Sequence, residues 1–129
     1  MSEAVDGIKR WARSVSSLTS GWTNEETGEV VPSYHDLAIK AANATADYRN
    51  LKAKREHAAK LRGESAAGAL ITASADDEVQ NALIDRLTNE AEVDARTKEI
   101  IAAKEALSGW EAILQKELAE DRIEAKYAP

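Results

Sequence analysis

The chain has 129 residues, a formal net charge of −6, no cysteine and no phenylalanine. The lack of cysteine removes disulfides, thiolate nucleophiles and Cys-based zinc or iron–sulfur sites, and the acidic balance argues against general affinity of the whole chain for nucleic acid. Ala, Leu, Ile and Val supply most apolar positions; they suit closely packed helices better than a wide core, and the length predicts one helical domain over 1–129.

In residues 3–18, Val5, Ile8, Trp11, Ala12, Val15 and Leu18 recur three or four apart. This predicts a short amphipathic helix with Ser2 as N-cap, weakened by Gly7. The start of the chain carries acids where a signal peptide needs a basic segment followed by an apolar run, so no signal peptide is expected. No stretch approaches 18 consecutive apolar residues, so no membrane span is expected either. The compartment stays open; a soluble protein, cytoplasmic or held in a larger assembly, is the favoured expectation.

Residues 19–32 read as irregular. Asn24, Glu25, Glu26, Thr27 and Gly28 form a turn signal, and Trp22 can pair with Val30-Val31 in a small β-hairpin. A two-stranded hairpin is marginal alone in water, so it has to lie on the helices.

Residues 33–62 predict a long helix. Ser33 is placed to cap it, with Asp36 at the third position. Tyr34, Leu37, Ala41, Ala44, Tyr48, Leu51, Arg55 and Ala58 make a coiled-coil-like seam with one charged intruder, Arg55. Asp36–Lys40 and Glu56–Lys60 are favourable pairs four residues apart. Gly63 is the expected C-cap.

Residues 63–75 read as the turn, small and uncharged apart from Glu64, with a loosely helical tip as the alternative. Ser74, with Asp77 three residues on, is the expected cap of a last helix over 76–127. Its apolar residues fall in two patches: Leu83, Ile84, Leu87 and Ala91, then Val93, Ile100, Ala103, Leu107, Trp110 and Leu114, slightly rotated. Glu92–Arg96 and Asp94–Lys98 are further expected pairs.

Charge patterning supplies the topology. Residues 48–62 hold six Lys or Arg against one acid, and 76–94 hold seven Asp or Glu against one Arg. The expected fold is all-α: a short N-terminal helix, an irregular Trp-containing segment, and an antiparallel hairpin of about 34–62 and 76–107 or longer, in a coiled-coil-like bundle. With the turn centred near residue 69, Arg62 falls beside Asp76, Lys60 beside Glu78, and Arg49 and Lys52 level with Asn89 and Arg86. At 1.5 Å per residue the first arm spans about 43 Å and an unbroken second arm about 78 Å. The surplus must find cover, either by breaking near Ser108-Gly109 and folding onto residues 3–18 with Trp110 near Trp11, or by pairing with a second chain.

No catalytic, cofactor-binding or metal-binding residues are expected. His35 and His57 lie in no metal-ligand spacing, the glycines form no phosphate loop, and no Gly-x-Ser-x-Gly occurs. The expected function is non-enzymatic: a helical adaptor or an assembly or structural subunit, cellular or viral, that acts through apolar seams and self-associates. Trp22, Leu70, Ile71, Trp110, Leu114 and Leu118 are its candidate contact residues. The alternative is a small regulator binding nucleic acid or a phosphorylated ligand through Arg49, Lys52, Lys54, Arg55, Lys60 and Arg62, less favoured because an acidic run lies close by. A third reading, an acidic inhibitor of a nucleic-acid-binding protein, needs the 76–94 and 117–124 acids exposed.

Overall fold

The computed structural model describes residues 2–127 and is an all-α protein with one small strand pair. Its elements are α1 (Glu3–Ser20), β1 (Trp22–Thr23), β2 (Val30–Val31), α2 (Tyr34–Leu61), α3 (Ala66–Ala75) and α4 (Asp77–Tyr127). They form two compact units, one of residues 35–95 (the hairpin unit) and one built from residues up to 34 and from 96 onward (the terminal unit).

In the hairpin unit, α2 and the first part of α4 run antiparallel. Thr45 pairs with Glu90, Tyr48 with Arg86, and Arg55 with Asp76 and Glu78, so partner numbers rise as α2 numbers fall. From Leu37 to Arg55 the expected α2 seam is the observed one, with Leu37, Ala41 and Ala44 buried and Tyr48, Leu51 and Arg55 half-buried; at the last turn the buried alanine is Ala59, and the expected Ala58 is half-buried beside it. Gly63 ends the helix as expected. At φ 95° it lets its own N–H reach the Lys60 carbonyl at 3.0 Å and that of Glu64 reach Ala59 at 3.2 Å, which satisfies two end carbonyls.

At the connection one alternative holds and one expectation fails. Of the turn and the helical tip offered for residues 63–75, the tip is the outcome: 66–75 form α3, whose Ser65 cap accepts from the Gly68 N–H at 3.1 Å. The chain therefore bends twice, at 62–65 and at Asp76. Ser74 does not cap α4. Asp76 does, its Oδ1 accepting from the N–H groups of Glu78 and Val79 at 3.0 and 3.1 Å; a carboxylate there also complements the helix dipole.

The register differs in consequence. Glu78 meets Arg55 rather than Lys60, and Arg86 meets Tyr48 rather than Lys52, a slip of about one helical turn. A single-turn estimate spends residues 63–75 as a symmetric bend, whereas α3 winds ten of them into a helix of its own.

Of the two patches expected along α4, the second is inward as expected, from Val93 through Ile100, Ala103, Leu107 and Trp110 to Leu114, whereas Ile84, Leu87 and Ala91 of the first face outward. In the hairpin unit the inward positions are Val79, Ala82, Arg86, Asn89 and Val93; in the terminal unit they are Arg96, Ile100, Ala103, Leu107, Trp110, Leu114 and Glu117. Within each unit the inward positions step by alternating three and four residues, and they include Arg86 and Asn89 in the hairpin unit and Arg96 in the terminal unit, which hydropathy assigns to solvent.

In the terminal unit, α1 lies antiparallel along α4. Ser2 donates to Glu117 at 2.9 Å at one end, Gly7 faces the Trp110 ring, and Arg96 donates to the Leu18 carbonyl at 2.8 Å at the other. The helix is unbroken at Ser108-Gly109, and α1 covers it as a straight partner up to Glu117. The β1–β2 pair sets Trp22 opposite Val31 and Thr23 opposite Val30. Gly21 (φ 78°) turns the chain from α1 into the hairpin where a Cβ would stand 2.5 Å from the Val31 carbonyl oxygen.

Candidate interaction surfaces

Packing in the hairpin unit is unusual in what it hides. The buried positions of α3 are Ala69 and Ala73, while Leu70 and Ile71 face outward, Ile71 being 70 % exposed. Along α4, Asn89 is 4 % exposed whereas Ile84 and Leu87 are 61 % and 52 % exposed. Ile84, Leu87 and Ala91 repeat at steps of three and four and form one outward stripe. Of the patch expected to be a seam, only Leu83 turns partly inward.

The polar residues that replace them are well partnered. Arg86 donates to Glu90 at 2.9 Å, and its guanidinium lies 5.5 Å from the Tyr48 ring centre, with Lys52 at 5.7 Å from the same ring. Asn89 Nδ2 donates to the Asp85 carbonyl at 2.8 Å, within its own helix. Among the described residues no buried side-chain nitrogen or oxygen lacks a partner.

The six basic candidates divide. Arg55 turns into the hairpin, 3.4 Å from Asp76 and 2.7 Å from Glu78. Lys60 pairs with Glu56 at 3.5 Å and Arg62 with Glu64 at 3.4 Å. Glu64 also accepts from the Thr72 hydroxyl, which ties the α2 cap to α3. Among the described residues Arg49, Lys52 and Lys54 make no ion pair.

The six apolar candidates divide as well. Trp22, Leu70, Ile71 and Leu118 are exposed; Trp110 and Leu114 are half-buried against α1. Trp110 and Trp11 line one cleft, with Glu3, Asp6, Gly7 and Arg10. Gly7 is the residue that sequence reasoning misjudged. Its missing side chain weakens α1 locally, yet it is the space the Trp110 indole occupies. The only sequence signal was a glycine on the inward side of an amphipathic helix.

The terminal unit also holds an open groove of about 280 Å3, lined by Thr19, Tyr34, Thr97, Ile100, Ile101 and Lys104. Arg96 does not pair with a carboxylate as expected; it donates to the Leu18 and Pro32 carbonyls at 2.8 and 2.9 Å, fixing both ends of the hairpin segment. Comparison with known protein families, curated proteins and solved structures finds no match. Among the described residues no group of three His, Asp or Glu side chains is placed to hold a metal ion, and no helix is long and apolar enough to cross a membrane.

Proposed function

We propose that this chain is a non-enzymatic helical interaction protein, an adaptor or assembly subunit that self-associates through outward-facing apolar side chains. One observation carries the reading: Arg86 and Asn89 occupy inward positions of α4 while Ile84 and Leu87 stand outside. Exchanging such residues would bury apolar surface worth roughly 1.5–3 kcal/mol per large side chain. A chain that forgoes this stabilisation keeps apolar surface available for a partner. Leu70 and Ile71, set outside a buried pair of alanines on α3, repeat the arrangement.

The phosphate-binding alternative rests on fewer cations than the sequence offers, since Arg55, Lys60 and Arg62 already have carboxylate partners. Light scattering over a concentration series tests the main reading. The expected mass rises above the 14.0 kDa of one chain as concentration increases. A constant 14.0 kDa at every concentration removes self-association from the proposal.

A further inference from the structure

Among the described residues the hydrogen bond between the α1 side and α4 that lies furthest along α4 is the one from the Ser2 cap to Glu117, and α4 runs on to Tyr127. Every residue from Leu118 to Tyr127 is exposed, including Leu118, Ile123 and Tyr127 themselves. These turns extend a helix that is already nucleated, and among the described residues their large apolar side chains stay exposed. Continued past Glu117, the three-and-four seam falls on the acids Asp121 and Glu124; Leu118 and Ala125 lie on the adjoining face, four and eleven residues beyond Leu114.

The segment is complementary to itself when reversed. Residues 117–126 read Glu-Leu-Ala-Glu-Asp-Arg-Ile-Glu-Ala-Lys. Turned end to end about the point between Asp121 and Arg122, Asp121 meets Arg122, Leu118 meets Ala125, and Glu117 meets Lys126. A parallel pairing in register sets each charge against its own kind. We infer that the exposed end of α4 pairs antiparallel with the same segment of a second copy of this chain, held by Asp121–Arg122 and Glu117–Lys126 contacts around Leu118 and Ala125.

The second copy is the occupant because both signs of charge needed to match the segment lie on the segment itself, and because Leu118, next along the helix from the Glu117 that meets Ser2, is left exposed between those charges. A two-fold axis generates each ion pair twice. The contact is short, at the low end of interface size, so association is weak and salt-sensitive. This inference rests on the self-association proposed above and gives it one specific surface.

Sedimentation equilibrium of the full chain up to about 1 mM, where even a weak dimer populates, provides the test. Asp121→Arg and Arg122→Asp each replace two attractive pairs by two repulsive ones and are expected to weaken association about tenfold. The double swap Asp121→Arg/Arg122→Asp restores the complementarity and with it the wild-type association. Asp121 and Arg122 are both exposed, and circular dichroism checks that each variant keeps its helix. Association unchanged in both single variants overturns the pairing while leaving self-association through another surface intact. Loss in the singles without recovery in the double variant overturns it too. A wild-type chain that stays monomeric overturns both the pairing and the broader reading.

Discussion

Gly7→Ala sets two effects of opposite sign against each other. Alanine is the better helix former by about 1 kcal/mol in a helix interior, so propensity alone makes the variant more stable. Packing says otherwise. A Cβ at Gly7 would stand 2.5 Å from Trp110 Cδ2 and 2.7 Å from Cε2 and Cγ, where ordinary contact begins at 3.4 Å. The obstacle is a rigid ring, not the end of a flexible side chain, and it must retreat by about 0.9 Å. Overpacking of this kind costs about 1–3 kcal/mol. The expected net loss is about 1 kcal/mol, or a fall in Tm of about 3–6 °C for a chain of this size.

Thermal unfolding followed by circular dichroism measures the loss, and tryptophan fluorescence reports the displaced indole. In a Trp110→Leu background the same Gly7→Ala change should become neutral or stabilising, because the obstacle is gone; the difference between backgrounds is the coupling. A Gly7→Ala variant that melts higher than wild type would show that the indole moves freely, and the account of α1 against α4 would be wrong.

Arg55→Ala removes both carboxylate contacts at the base of α4 and should cost about 0.5–1 kcal/mol in chemical denaturation, less at 1 M salt where the Debye length is about 3 Å. Gly63→Ala meets no neighbour within 4 Å, so its expected loss of about 1–2 kcal/mol is backbone strain at φ 95° alone; an unchanged midpoint would show that the cap relaxes. Ile84→Glu with Leu87→Glu should leave the unfolding midpoint within about 0.5 kcal/mol per site, as exposed positions do, while lowering the mass seen by light scattering. Lost folding in that variant would mean the stripe packs inward, against the reading of an outward surface.

What could be read from residues alone was whatever local chemistry decides. The α2 seam is legible because Leu37, Ala41, Ala44 and Leu51 are the apolar residues of a helix with few competitors for that face. The Gly63 cap, the Ser2 cap and the Trp22–Val31 pair follow from backbone preferences confined to a few residues. Opposite charge on 48–62 and 76–94 was enough to give the antiparallel sense, since only one direction brings the two stretches together.

Tertiary structure alone decided the register of α4 and its phase within the hairpin unit, whereas the inward patch from Val93 to Leu114 is legible in the sequence. Its sequence offers two apolar stripes, one through Ile84 and Leu87 and one through Val79 and Val93, and hydropathy ranks the first higher. The second is the inward one because Arg86 gains Glu90 and Tyr48 there, and Asp76, by starting the helix, brings Asp76 and Glu78 to Arg55. The Arg86–Glu90 pair, four residues apart, is local, but the contacts with Tyr48 and Arg55 join α4 to residues distant in the chain, and no periodicity within α4 encodes them. The same holds for Gly7, a flaw in an isolated α1 that becomes a fitted contact only when the Trp110 ring lies against it.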